Sequence, residues 1–294
     1  MLFDNTSHPV VETLSFDSFT EAIEKVDLIN SPAINRHTLY GGKLDSSFFG
    51  VSSVAEAKKL ATLGWPEGRD KFRAIADSIN VESHILKPEI VYDVVGDGGF
   101  DMGRVLAGVP ESTMDWRETE TQLANPNGQI IKILFNTVTS GMVSTKVIET
   151  RGAAVLALVD ALESAGKRVE LDALYYIGAS YGVKAKKAHK IIVPLKKLDY
   201  AVQQDQIIYA LAHPSFMRVY MFSLLAMAGP NGHKSASLTC GSFGTERDYP
   251  LEADIVISSG YGLDGQWSSV ANAKAWLVET LHTFGVRLDT DGKI

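Results

Sequence analysis

The chain has 294 residues, 45% of them hydrophobic and 21% charged, with a net charge of −7. That length builds a full hydrophobic core without disulfides or metals, and the balance excludes disordered, collagen-like and coiled-coil classes. The single cysteine, Cys240, excludes a disulfide framework and a cysteine-rich zinc module. Net acidity argues against a surface that is basic throughout but leaves room for one local basic patch. The opening Met1-Leu2-Phe3-Asp4-Asn5 lacks the basic n-region and long apolar run of a signal peptide. The longest apolar stretch, 216–228, is thirteen residues with Arg218 inside it, too short for a bilayer, so no membrane contact is expected.

In chain order, residues 10–16 alternate in part as a strand. Residues 18–26 read as a short helix with Phe19, Ala22, Ile23 and Val26 at helical spacing. The Asn-, Pro-, Gly- and Ser-rich stretch 30–50 reads as a loop. Ser53 with Glu56 three residues on is a capping box. It opens a helix whose apolar face is Val54, Ala57, Leu60 and Ala61, and Gly64 ends that helix. A second helix follows Trp65-Pro66 and carries Phe72, Ile75, Ala76 and Ile79. Residues 88–95 are β-rich and run into Gly96-Asp97-Gly98-Gly99, where positive-φ glycines would make a tight loop. Residues 106–127 read as irregular, with Pro110 and Pro126 as breakers.

From 129 the pattern changes. Residues 130–135 are a short, nearly pure apolar run, as in a buried parallel strand. Residues 151–165 are the best-patterned helix, with Val155, Leu158, Val159 and Leu162 at i, i+3, i+4 and i+7 before Gly166. Residues 167–177 alternate as a strand, 202–212 and 214–227 read as apolar helices, and 253–257 as another buried strand. A helix over 269–284 and a last strand over 286–288 close the chain. This order predicts an α/β core at 129–294, a mainly parallel sheet between helix layers. An N-terminal α-rich part, 1–128, packs on it, or the whole chain is one compact domain.

Several chemical motifs fail on spacing. Gly96-Asp-Gly-Gly-Phe-Asp-Met-Gly103 misses GxGxxG because Asp101 stands where a glycine is needed. There is no P-loop, no GxSxG elbow and no HExxH, and none of the seven histidines pairs at i, i+4, so neither a cofactor nor a metal is expected. Asp93, Asp97 and Asp101 are close enough in sequence to suggest a magnesium-dependent nuclease, although loop carboxylates beside glycines are commonly solvated turn residues. Asn136-Thr137-Val138-Thr139-Ser140 resembles the strand end at which a von Willebrand A-type domain carries Asp-x-Ser-x-Ser for a divalent cation. Asn136 and Val138 replace two of the ligands, and 254–260 resembles the second metal-side loop without its acid. The resemblance implies a similar sheet with a degenerate metal site, used as a protein-interaction scaffold.

The most distinctive local feature is 181–200, YGVKAKKAHKIIVPLKKLDY. It holds Lys184, Lys186, Lys187, Lys190, Lys196 and Lys197 against a single acid, Asp199. Tyr175, Tyr176, Tyr181 and Tyr200 flank it or lie inside it. Lysines that track phosphates beside rings that stack on bases are what single-stranded nucleic acid needs, each stacked base contributing ~1–3 kcal/mol. The competing reading is an exposed loop or edge strand whose lysines block aggregation. The acidic remainder of the chain favours the first, because it confines a polyanion to one groove. Weaker basic-aromatic spots are Arg36 with Tyr40, and Trp65 with Arg69. Trp267 and Trp276 read as core.

Three further stretches carry a family resemblance. They are Leu63-Gly64-Trp65-Pro66-Glu67-Gly68, then Asp101-Met102-Gly103-Arg104-Val105-Leu106-Ala107-Gly108-Val109-Pro110-Glu111, and Arg151-Gly152-Ala153-Ala154 through to Gly166-Lys167-Arg168-Val169-Glu170. Over roughly 50–290 the chain resembles a family of tailed-phage proteins that includes single-stranded-DNA-binding cofactors of phage RNA polymerases. The resemblance implies binding without sequence readout, recruitment of a phage RNA polymerase to unwound promoters in the host cytoplasm, no enzymatic activity, and a fold other than the OB barrel. It assigns no DNA-contacting residue, so the lysine stripe stands on its own chemistry. Self-association, through which single-strand binders gain cooperativity, is left open.

Overall fold

The computed structural model describes residues 10–31, 34, 38–39, 43–79, 83–84, 86–95, 99–120, 129–139, 143–177, 187–198, 203–227, 252–258 and 264–288. The N-terminal part contains β1 (Val10–Ser15), α1 (Phe19–Lys25), β2 (Thr38–Leu39), β3 (Lys43–Leu44), α2 (Ser46–Phe49), α3 (Val54–Leu63) and α4 (Pro66–Ile79). It continues with β4 (Ser83–His84), β5 (Leu86–Asp93), α5 (Met102–Leu106) and β6 (Thr113–Glu120). The C-terminal part contains β7 (Ile130–Asn136), α6 (Thr145–Ser164), β8 (Arg168–Ile177), β9 (Lys187–Lys196) and α7 (Gln204–Ala212). A π-helical segment, Phe216–Met221, leads into α8 (Phe222–Met227), followed by β10 (Ile255–Ile257), α9 (Asp264–Trp267), α10 (Val270–Thr283) and β11 (Arg287–Leu288).

The fold is α/β, with a five-stranded, mainly parallel sheet in the order β1-β9-β8-β7-β10 flanked by helices. The pairs β1/β9, β7/β8 and β7/β10 are parallel, and β8/β9 is the antiparallel exception. Strand alternation sorts the two faces. Ile131, Ile133 and Phe135 of β7, Val169, Leu171, Ala173 and Tyr175 of β8, and Ile191, Val193 and Leu195 of β9 enter one core with the helices. The same core takes in Phe16, Phe19, Ala22, Phe49, Phe72 and Ala76 from the N-terminal part, and β1 forms an edge of the sheet. Full burial of each large apolar side chain contributes ~1.5–3 kcal/mol.

Helix α6 is the centre of this packing, against α4, α7 and α10. It begins at Thr145, before the expected 151, because Ser144 accepts from the Val147 amide at 3.4 Å. Its small residues permit close approach. A Cβ on Gly152 would lie 2.6 Å from the Leu211 carbonyl oxygen of α7.

Two expectations need correction. The stretch 30–50 is not all loop but contains β2, β3 and α2. Residues 106–127 are not irregular throughout: β6 runs antiparallel to β5 from Asp93↔Thr113 to Leu86↔Glu120. The expected last strand is present as β11, which pairs with β4 outside the main sheet. Of the glycine cluster, Gly99 and Gly103 have no positive φ, and Gly96 and Gly98 lie outside the described residues; Gly108, which follows α5, is left-handed. The β5–β6 hairpin and α5 thus form an arm, and none of its residues described between Ile90 and Asp115 belongs to the main core.

Candidate functional site

Strand β9 lies inside the sheet, between β1 and β8, so its lysines are not decoration on an edge. Lys190 pairs across to Tyr176 of β8 and Thr13 of β1. Burial lowers its ammonium pKa, nearby Lys132 lowers it further, and Glu252 and Asp172 oppose that trend. Lys132, Lys197 and Lys190 all act on the half-buried Asp172, whose carboxyl is nonetheless pushed up by burial and by Glu170. Lys132 Nζ is 4.0 Å from the Asp172 carboxylate. Lys196 pairs with Glu163 at 2.6 Å and donates to the Val169 carbonyl. Lys197 donates to the Asp17 carbonyl at 2.6 Å. Lys187 opens the strand.

The aromatic half of the expected interface is corrected. Tyr175 and Tyr176 are 0% and 1% exposed, so neither ring can stack on a base. Tyr175 meets Phe222 edge-on instead, inside the core. The adjacent positions 175 and 176 fall on opposite faces of β8, and both faces are covered there. Trp65 is half-buried and packs edge-on to His213 at 4.8 Å. Arg69 binds both carboxylate oxygens of Asp205, which ties α4 to α7. These two are structural contacts, not a second interface. Tyr181, Lys184, Lys186, Arg36 and Tyr40 lie outside the described residues.

The second candidate region is the C-terminal end of β7 and β10. The chain leaves β7 towards β8 on one side and returns to β10 on the other, so the strand order reverses here, the place where open α/β sheets hold ligands. A buried guanidinium occupies it. Arg151 of α6, 1% exposed, donates to the carbonyls of Asn136 and Ser258 and at 3.4 Å to that of Ile257, over the face of Phe135. Asn136 Oδ1 accepts from the Val138 amide at 3.0 Å, and Thr139 contacts the Met217 sulfur. A fixed cation bonded to both strand ends does not fit a metal ion there. Among the described residues no group of three His, Cys, Asp or Glu side chains could hold one. Ser140, Ser259 and Gly260 lie outside the described residues.

The carboxylates proposed for nuclease chemistry serve local turns. Asp101 caps α5 through the Gly103 and Arg104 amides, which holds its carboxyl below the usual range. Asp93 accepts from the Val94 amide at 2.7 Å. Asp97 lies outside the described residues.

Sequence reasoning missed two features. One is a buried relay in which Tyr209 Oη and His213 Nδ1 each bond Ser215 Oγ, at 2.9 and 2.8 Å, with the His213 pKa lowered by burial to about 4. Ser215 is fully buried, so the cluster holds the turn into the π-helix and presents no nucleophile. The other is the arm. Ile90, Val94, Val95, Phe100, Met102, Val105 and Leu106 are seven of the eleven exposed large apolar side chains among the described residues. The apolar content of 90–106 was a readable signal for it.

Residues 5–287 match the family described as "Domain of unknown function (DUF7192)". The chain belongs to this family. No curated protein and no solved structure matches it. The DUF7192 match runs from before β1 to the start of β11. The lysine strand, the Arg151 lock and the arm are therefore all parts of the family domain. Among the described residues no helix is long and apolar enough to cross a membrane.

Proposed function

We propose that this protein is a non-enzymatic binder of single-stranded DNA that holds phosphates along β9 without reading bases, in the cytoplasm of a phage-infected host. The supporting observation is the concentration of Lys187, Lys190, Lys196 and Lys197 on and just after one ten-residue strand, in a chain that is otherwise acidic. With Tyr175 and Tyr176 buried, charge rather than stacking carries the affinity. Four phosphates neutralised on a single strand give a slope of log affinity against log salt of about −3. Recruitment of a phage RNA polymerase is the further step that the family resemblance adds.

The test is fluorescence anisotropy with a labelled single strand of about 30 nucleotides and its duplex, from low to moderate salt. Preference for the single strand with that slope is expected. Binding should vanish when Lys184, Lys186, Lys187 and Lys190 are all changed to Glu, with the melting temperature kept. Binding unchanged by these substitutions refutes the reading. A second reading, a protein-interaction scaffold, is favoured by Arg151, which closes the sheet end to a metal ion while leaving it as a rigid surface. It expects no nucleic-acid affinity at any salt concentration.

A further inference from the structure

We infer that Arg218, in the π-helical segment, binds the carboxylate of a small organic monocarboxylic acid. The inference holds whether or not β9 binds DNA. Arg218 is the one charge inside the apolar run 216–228, and it is 4% exposed. Its guanidinium lies 4.3 Å over the Phe48 ring, and Nη1 donates to the Phe48 carbonyl. Nε and Nη2 are buried and have no hydrogen-bond partner among the described residues. Burial pulls its pKa down, and no carboxylate among the described residues pairs with it. Arginine stays protonated inside proteins, so a full positive charge is held here without a counter-ion. Such a charge is costly until an anion pairs with it. Arg151 meets the same degree of burial with the carbonyls of Asn136, Ile257 and Ser258, whereas Arg218 has, among the described residues, only that of Phe48.

The orphaned donors define the ligand. Nε and Nη2 form one edge of the guanidinium, whose parallel N–H groups match the two oxygens of a carboxylate. The same edge of Arg69 holds Asp205, Nε on Oδ1 and Nη2 on Oδ2. The backbone at Arg218 is unusual as well. Phe216–Met221 is π-helical, and π turns within helices are rare and recur at functional sites. Charge sets the class. One guanidinium, with no second cation beside it among the described residues, balances one negative charge. That suits a carboxylate and not the dianion of a phosphate monoester. Burial sets the size, because at 4% exposure no polymer can thread past the guanidinium. On the Phe48 side the cover is α2, a single turn with Ser46 and Ser47 exposed and Gly50 left-handed after it at φ 73°. A single surface turn opens at far lower cost than the core.

The test is titration of the full chain with butanoate at constant ionic strength, read by saturation-transfer NMR on the ligand and by melting temperature. Binding should saturate, and the melting temperature should rise by about 3 °C at ten times the dissociation constant. Arg218→Met has a similar volume without the charge. It should abolish butanoate binding and, without ligand, melt no lower than the wild type, because a stranded charge has been removed. Chloride and inorganic phosphate should shift the wild type and Arg218→Met alike. Absence of saturable butanoate binding, binding that survives Arg218→Met, or a phosphate effect confined to the wild type overturns the inference. An Arg218→Met chain that fails to fold, or melts more than about 5 °C below the wild type without ligand, overturns it too, since the guanidinium would then have its partner within the chain.

Discussion

His213 is a buried imidazole, with Trp65 on one side, Tyr209 stacked on another and Ser215 on its Nδ1. Burial lowers its pKa to about 4, against the carboxylates of Glu56 and Glu67, which would raise it. An unfolded histidine takes its proton near pH 6.5, so between about 6.5 and 4 the unfolded chain holds more protons than the folded one. The neutral-site stability is therefore complete above pH 6.5 and is lost progressively down to about pH 4. The shift corresponds to about 3 kcal/mol at the acid end. Melting temperature measured across that window should fall more steeply for the wild type than for His213→Gln, and equal slopes would remove His213 as the cause. Arg151 illustrates the opposite solution to burial. Its guanidinium donates to the backbone carbonyls of Asn136 and Ser258, and Phe135 lies beneath it. A buried cation so held is costly to strand, because removal of its partners leaves a charge without solvation.

At the scale of elements, the crossing of α6 and α7 depends on Gly152. Its absent side chain lets the Leu211 carbonyl approach to within 2.6 Å of where a Cβ would stand, and backbone cannot rotate aside as a side chain can. Gly152→Ala should cost ~1–3 kcal/mol by forcing the two helices apart, read as a lower denaturant midpoint at constant m-value. Helix propensity alone would favour alanine by ~1 kcal/mol, so a stabilised variant would show that the crossing relaxes freely. The sequence told of α6 through its i, i+3, i+4, i+7 apolar spacing, and of β7 and β10 through their short apolar runs, because burial on both sides leaves a one-dimensional signature. It hid β6, where acids and an arginine break the apolar pattern. Tyr175 and Tyr176 misled for a related reason. Adjacent strand residues face opposite ways, so one is expected outside, yet both faces of β8 are covered at that level, and only tertiary structure records this. Lys196 and Lys197 were legible as charges, but their partners Glu163 and the Asp17 carbonyl come from distant parts of the chain.

At the scale of the molecule, one core runs from Phe16 to Val286, and the arm's residues described between Ile90 and Asp115 stand outside it. Stability and surface function are therefore separable. The segment from Val94 to Ser112 connects Asp93 to Thr113, which already face each other as the last pair of the β5–β6 ladder. Replacing that segment by Asn-Gly closes the same pair with a two-residue type I′ turn, whose twist suits an antiparallel hairpin. None of the described side chains removed belongs to the main core, and seven exposed or partly exposed apolar groups that hydrate unfavourably are reduced to Ile90. The shortened chain should melt within about 2 °C of the full one, since a change of 1 kcal/mol shifts a protein of this size by only ~2–4 °C. Its solubility should rise, and its affinity for single-stranded DNA, measured by the same anisotropy titration, should stay unchanged at low protein concentration. A drop in melting temperature of more than about 5 °C would mean that the arm packs on the core and supports it. Unchanged melting with lost DNA affinity would instead move the nucleic-acid site from β9 to the arm, which its acidic charge argues against.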